Sequence, residues 1–346
     1  MRMTRGRILK TLAAFCFGLL IILLLVRDVG FDQAYAALKR ANGYYVLVAI
    51  AMSLISIYIG GIRWKHIITD PDVEVSYRQL FLSLLSGNFV NNITPAGKGG
   101  GEPLRAYLLS KLTGIDAGKV FATVISDRIF DTFPYVLLGY FGVFSLVLFW
   151  EVDRIVLVTL IVAILFLTVL LAVISYIIFN FRQGKRFVHA IMRTLKRFFP
   201  DKVGTYEERV DDTLMLFHNT IREIAHDRRK LVLSTALSMA IWGFWILRTY
   251  FVFVAFGVTI SFTVLAVVAV VSSFMSMVPF SPGGFGTTDG AMIVLFSGFG
   301  VVPSIAVGVT LIDRIISYWL SNVMGACTLG LSHREINRTR NITVKL

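Results

Sequence analysis

The residues of this chain that could do chemistry are charged side chains standing inside apolar sequence. Glu102 and Arg105 follow a stretch, Thr94-Pro95-Ala96-Gly97-Lys98-Gly99-Gly100-Gly101, that cuts through an apolar run. Its four glycines and its proline break helical structure. Irregular, charged backbone survives at membrane depth only where protein buries it or where it lines a wet cavity. The chemistry such residues offer is ionic recognition: guanidiniums hold phosphate or carboxylate, and carboxylates balance them or exchange protons. Backbone amides of Gly97–Gly101 beside a helix start, with Lys98 among them, suit an anion. The spacing is not that of a Walker loop, since no Lys-Ser/Thr follows. His66, His189, His218, His226 and His333 lie in loops without ligand spacing, so neither a metal set nor a nucleophile is expected.

The same constellation occurs twice. Thr94–Glu102 aligns without gaps to Ser281-Pro282-Gly283-Gly284-Phe285-Gly286-Thr287-Thr288-Asp289. Downstream, Ser126-Asp127-Arg128-Ile129 is echoed by Ile312-Asp313-Arg314-Ile315. Glu102 and Asp289 each open a half-helix, where an acid either caps the helix or faces a central cavity. Asp127 with Arg128, and Asp313 with Arg314, are either internal salt bridges or a phosphate-binding pair, and Arg128 can reach Asp131 at i+3. Arg105 shares a face with Glu102. Arg248 stands alone in apolar sequence and needs an anionic partner, such as Asp313 or a ligand phosphate, unless it snorkels to a headgroup. Asn88, Asn91 and Asn92 line the approach. The candidate binding set is therefore Asn91, Lys98, Glu102, Arg105, Asp127, Arg128, Arg248, Asp289, Asp313 and Arg314.

The elements that must position these residues are membrane helices. Of 346 residues, 56% are hydrophobic and mean hydropathy is +0.75. Uncharged runs of about 18 or more residues read as spans. The expected fold is an all-α polytopic membrane protein with about six through-spans: 8–26, 43–62, 133–150, 155–181, 231–256 and 303–331. Arg63, Trp64, Lys65 and His66 mark the interfacial end of the second. A long helix over 118–150 carries Pro134. Residues 77–93 reach only about 25 Å, too short to cross. With the helix begun at Pro103 they form a re-entrant hairpin, and 262–277 with 290–299 form a second. Residues 31–40 and 185–199 are amphipathic surface pieces.

The chain reads as one transmembrane domain, 1–346. Repeat one covers about 44–150, a basic amphipathic segment covers 182–230, and repeat two covers about 231–330. Net charge is +13, and the basic residues flank spans, which suits anionic headgroups and orientation rather than nucleic acid. The N-terminus, 63–78, 182–230 and the tail are richest in Lys and Arg. If each hairpin enters and leaves on one side, all four lie in the cytoplasm and the repeats are inverted, as in many secondary transporters. Four basic residues before the apolar run 11–26 also begin signal peptides, but an uncleaved first span is favoured. Cys16 and Cys327 lie in apolar runs and read as packing residues.

The motifs N-x-x-x-P-x-G-x-x-x-G-E-x-x-R from Asn91, S-D-R-x-x-D from Ser126, P-x-S-P-G-G-x-G-x-x-[DE] from Pro279 and D-R-x-x-x-Y from Asp313 resemble the lysylphosphatidylglycerol synthase transmembrane family, also called flippase-like or UPF0104 integral membrane proteins. The resemblance runs from about residue 10 to 330. It implies movement of a lipid between leaflets without lipid synthesis, because the soluble aminoacyltransferase domain of the two-domain members has no counterpart here. The expected protein is not an enzyme and needs no cofactor. It sits in the plasma membrane with both termini cytoplasmic, and its partners are anionic membrane lipids. A homo-oligomer and a lipid- or glycan-synthesis enzyme are further partners the reading admits. Rival readings are a small-solute or ion transporter of the same architecture, the membrane subunit of a synthesis complex, and a scaffold.

Overall fold

The computed structural model describes residues 5–68, 73–94, 100–149, 154–198, 200–277 and 281–343. The side chains of residues 5–14, 195–210 and 338–343, and of a few positions near 149–167 and Ile191, lie outside the description. Among these residues the chain is helical apart from short connections, and no strand occurs. The helices are α1 (Arg5–Val29), α2 (Phe31–Arg40), α3 (Gly43–Ile67), α4 (Tyr77–Ile93), α5 (Gly101–Thr113), α6 (Ala117–Phe149) and α7 (Arg154–Phe179). They continue as α8 (Phe181–Phe198), α9 (Pro200–His226), α10 (Arg228–Ala255), α11 (Phe262–Met277), α12 (Thr287–Gly298), α13 (Pro303–Arg314) and α14 (Ser321–Thr343). A 3-10 turn, Pro282–Gly284, precedes α12, and a π-helical segment, Ile315–Leu320, joins α13 to α14.

Local chemistry sets several helix starts. Ser76 and Gln79 form a capping box on α4, the Asn42 side chain accepts from the Tyr44 amide, and that of Asp227 accepts from Lys230. Gly114, at φ +83°, closes α5 in the left-handed conformation.

Four helical stretches are long and apolar enough to cross a membrane among the described residues: Gly43–Ile67, Ala117–Leu148, Arg228–Ala255 and Pro303–Asn337. Helices α7 and α8, bent by 101°, count as a fifth if they are one broken span. Six were expected from the sequence. The expected span 155–181 corresponds to α7, the first member of this pair, the expected amphipathic piece 185–199 falls in α8, and 8–26 falls within α1, whose side chains up to residue 14 lie outside the description. The outward surface is apolar, with Phe144, Val162, Phe166, Val169 and Tyr176 more than half exposed, while serines and arginines are buried. Both cysteines are exposed rather than packed.

The helices that hold the charges pair antiparallel. Helix α3 runs along α10: the Asn42 amide donates to Ala255 O at one end, and Arg63 Nη1 donates to Ser238 Oγ toward the other. Helix α4 runs along α5, with Gln79 Nε2 donating to Leu112 O and the Gly101 amide donating to Asn91 Oδ1. Helix α4 also runs along α14, through Asn92 to Asn322, Ser86 to Thr328 and Arg78 to Glu335. Helix α6 lies between these groups. Its Tyr135 hydroxyl donates to Val270 O, and Trp242 Nε1 donates to Asp131 O.

Outside the apolar segments, Lys185 of α8 and Asp211 of α9 pair at 2.6 Å, and His189 joins them at 3.0 Å. Hydrogen bonds from Lys185 and His189 hold the Asp211 carboxyl below the usual range.

Candidate functional site

Two charged clusters form, each from both ends of its own half of the chain. In the first, Arg63 Nε meets Asp127 Oδ1 at 2.8 Å, and its Nη1 meets Asp131 Oδ1 at 3.2 Å. Arg105 Nη1 donates to Asp127 Oδ2 at 2.8 Å. Arg128 Nε lies 2.8 Å from Glu102 Oε1 and its Nη1 lies 3.8 Å from Asp131. Asn91 Nδ2 also donates to Glu102 Oε1, at 3.0 Å. The Arg105 guanidinium stands 3.6 Å over the Trp64 ring, and Trp64 Nε1 donates to Thr123.

In the second cluster, Arg248 binds Asp313 through two bonds, 2.9 and 3.1 Å, and the Thr249 hydroxyl donates to the same carboxylate. Arg314 Nε meets Asp289 Oδ1 at 3.0 Å, while Asp289 Oδ2 accepts from the Gly286 amide. Asp289 therefore caps α12 and holds an arginine at once.

Each half thus repeats the same two ion pairs: Arg63–Asp127 with Arg128–Glu102, and Arg248–Asp313 with Arg314–Asp289. Arg105 and Asp131 add one further charge of each sign to the first cluster, so the charges balance. What remains over is a set of polar atoms without partners, most of them donors. Arg248 Nη1, Arg314 Nη2 and Ser272 Oγ are buried without partners, as are Arg105 Nε and Nη2. The carboxylate oxygen Glu102 Oε2 is in the same condition.

The halves differ in access. In the matching pairs, the side chains of Arg128 and Glu102 are 36% and 11% exposed, against 12% and 2% for Arg314 and Asp289. The second cluster instead borders an internal cavity of about 130 Å³. Arg248, Asp313, Arg314, Ser272 and Tyr318 line it, together with Asn92 from the first half.

Tyr318, in the π segment, ties the halves together. Its hydroxyl lies 3.2 Å from Asn92 O and 3.3 Å from Pro282 O, and Arg314 stands 4.7 Å from its ring. One phenolic proton serves two nearly equidistant acceptors. Such π segments often mark functional positions. Tyr318→Phe is expected to cost about 1 kcal/mol of stability. It is also expected to raise hydrogen exchange around both Asn92 and Pro282. A rise at only one of them would assign the bond to that carbonyl alone.

Nine of the ten candidate residues fall in the two clusters, and Lys98 lies outside the described residues, as does most of its glycine stretch. Arg105 pairs with Asp127 rather than with its helix neighbour Glu102. Arg63 and Trp64, read from sequence as interface markers, are 4% and 0% exposed. Arg63 was the missed site residue, and the repeat contained its signal. Arg63 and Arg248 are 185 positions apart, against 186 for Asp127 and Asp313 and 187 for Glu102 and Asp289. Asp131 lies within reach of Arg128 at i+3, as its spacing suggested, and Thr249 and Ser272 join the site only through the fold.

The sequence model of the lysylphosphatidylglycerol synthase TM region matches residues 8–325. A UPF0104 membrane protein of Methanothermobacter thermautotrophicus is 34% identical over 312 residues, covering 90% of this chain and 92% of the relative. Others from Methanocaldococcus jannaschii and Pyrococcus horikoshii are 30% and 29% identical over 98% and 95% of this chain, and over 99% and 98% of their own lengths. An integral multi-pass membrane protein, this chain belongs to the lysylphosphatidylglycerol synthase transmembrane region family, whose UPF0104 members it matches over 90% or more of its length.

Proposed function

We propose that the protein is a lipid translocase. It moves a phospholipid, anionic or aminoacylated, or a polyprenyl-phosphate-linked lipid between leaflets. The headgroup passes through the charged cavity while the chains stay in the bilayer. The observation that carries this reading is the pair of buried guanidinium N–H groups without hydrogen-bond partners, Arg248 Nη1 and Arg314 Nη2, on two arginines that line the cavity. A buried donor without a partner is costly, and an anionic oxygen such as a lipid phosphate satisfies it with a strong, charge-assisted bond. The carboxylates Asp313 and Asp289 keep the empty site neutral.

In this reading the α4–α5 and α11–α12 hairpins are re-entrant and enter from opposite faces as inverted repeats, with the basic segments and both termini cytoplasmic. The half-exposed Arg128 and enclosed Arg314 are then the open and closed ends of one path. Transport is downhill or ion-coupled, with Glu102 and Asp289 as the groups that exchange with the cations. A plasma-membrane location follows from the proposed role.

The test is headgroup accessibility in proteoliposomes holding purified protein and fluorescent anionic phospholipids or polyprenyl phosphates. Wild type is expected to move one of these classes. Arg314→Ala and Glu102→Gln are expected to slow it by about 10- to 100-fold, the equivalent of one charge-assisted hydrogen bond. No movement of any lipid by folded protein would overturn the reading. Uptake of a water-soluble anion independent of lipid would favour a small-solute transporter instead.

A further inference from the structure

Both halves set an acid at the start of a half-helix against an arginine, but they hold the pair differently. Arg314 Nε donates to Asp289 Oδ1 at 3.0 Å and the Gly286 amide donates to Oδ2, so both oxygens of Asp289 are engaged. In the first half Arg128 Nε lies 2.8 Å from Glu102 Oε1 without the alignment of a hydrogen bond, and Arg128 Nε is buried with no such bond. Glu102 Oε1 accepts from Asn91 Nδ2 instead. Glu102 is 9% exposed, and its Oε2 has no partner among the described residues. A carboxylate oxygen shut away from water without a donor is costly. A proton removes the charge that makes it so.

The charges around Glu102 set a second condition. Arg63, Arg105 and Arg128 meet Glu102, Asp127 and Asp131, so the cluster is neutral as it stands. An anion bound alone would leave one uncompensated charge at membrane depth. A proton bound with it restores neutrality. Geometry decides which carboxylate receives the proton. Asp127 holds two guanidiniums at 2.8 Å. Asp131 is 32% exposed, and cations flank both its oxygens, Arg63 at 3.2 Å and Arg128 at 3.8 Å. Glu102 has one oxygen over and a single cation, the partly exposed Arg128, which an anion can take from it. On the other sides of α5, α4 presents the uncharged Asn91. Helix α14 also touches α5, but its ionisable groups, the exposed Cys327 and then His333, Arg334 and Glu335, lie toward the Arg78 end of α4.

We propose that Glu102 is the proton-coupling group of the site. An anionic phosphate oxygen takes Arg128, and Glu102 accepts one proton from solvent water as it gives the arginine up. The proton ends on the Glu102 carboxyl and the negative charge on the anion beside Arg128, so proton and anion bind and leave together. Asp289, with both oxygens engaged, keeps its charge. That the anion is a lipid headgroup rests on the translocase reading, while the coupling rests on the pair itself.

The experiment titrates full-length protein in detergent by calorimetry with dihexanoyl phosphatidylglycerol, and separately with dimethyl phosphate, a free phosphodiester of the same charge. Each titration is run across pH in two buffers of different ionisation enthalpy, which counts the protons bound. Wild type is expected to take up about one proton per anion. Its affinity is expected to fall about tenfold for each unit of rising pH where Glu102 is charged in the free protein, the slope of a one-proton linkage. Glu102→Gln is expected to bind with no proton uptake and with an affinity flat in pH. Arg128→Gln is expected to lose both binding and uptake. Binding by wild type without proton uptake, uptake that persists in Glu102→Gln, or failure of both anions to bind would overturn the proposal. If Glu102→Gln does not fold, the wild-type proton count is joined by infrared difference spectra, in which a protonated carboxyl band is expected on binding and its absence sinks the idea. Proton uptake with dimethyl phosphate alone would keep the coupling and remove the headgroup reading. Lipid movement in proteoliposomes without proton uptake would do the reverse.

Discussion

Asp127→Ala is expected to destabilise the protein more than Asp313→Ala, although the two aspartates occupy matching places in the repeat. Asp127 holds two guanidiniums, Arg63 Nε and Arg105 Nη1, each at 2.8 Å, and all three side chains are at most 4% exposed. Removing one partner of a buried ion pair costs about 3–5 kcal/mol, because the remaining charge keeps its desolvation penalty. Arg63 would retain Asp131 and Ser238, but Arg105 would keep only the Trp64 ring. Asp313 holds a single arginine, and Arg248 borders a cavity into which water or an anion can come to its aid. Thermal unfolding of both variants in detergent, followed by size-exclusion recovery, checks the order. Equal losses, or a greater loss for Asp313→Ala, would mean that the cavity does not relieve Arg248. Asp127→Asn, which keeps hydrogen-bond acceptance without the charge, is expected to fall between wild type and Asp127→Ala.

The second large effect comes from a position with no functional group at all. A methyl group at Gly101 would land on the Gly87 carbonyl oxygen and within 2.7 Å of the Asn91 carboxamide. A Cβ at Gly87 would come within 3.0 Å of Gly101 O and of Arg105 Cβ. Helices α4 and α5 touch backbone to backbone here, and neither can yield without moving the other. Gly101→Ala is expected to cost about 3 kcal/mol or more, at or above the upper end for overpacking. By forcing α5 outward it also draws Glu102 away from Asn91 and Arg128. Gly243, inside α10, is the opposite case: a methyl group there would meet nothing within 4 Å. Gly243→Ala is expected to stabilise by about 0.5–1 kcal/mol through helix propensity. Melting temperatures of the two variants should therefore move in opposite directions. A Gly101→Ala protein that melts with wild type would refute the tight contact between the hairpin helices.

Much of the architecture was legible in the residues alone. The all-helical membrane class, helix α2 over 31–40, the break of α4 at Ile93 and the resumption at α11 and α12 all follow from apolar run length and from glycine and proline placement. Of the partners open to Arg248 from the sequence, Asp313, a ligand phosphate or a headgroup reached by snorkelling, the structure pairs it with Asp313. Local rules also misled. Arg63 and Trp64 looked like an interfacial boundary because both types favour that level, yet both are buried against α6. The last expected span is one continuous helical stretch, Pro303–Asn337, but it carries a π segment that no run-length argument detects.

By itself, the sequence determined which residues carry charge, how often the constellation repeats and where helices must stop, because these depend on composition and short-range sterics. Only the tertiary structure decided who pairs with whom. Arg63 and Asp127 are 64 residues apart and Arg248 and Asp313 are 65 apart, so their meeting depends on how α3 and α10 pack against α6 and α13. The same packing closes one cluster around Asp127 and sets the arginines of the other beside a cavity. Two halves with matching motifs thus present different surfaces, because burial is a property of neighbours brought together from distant parts of the chain.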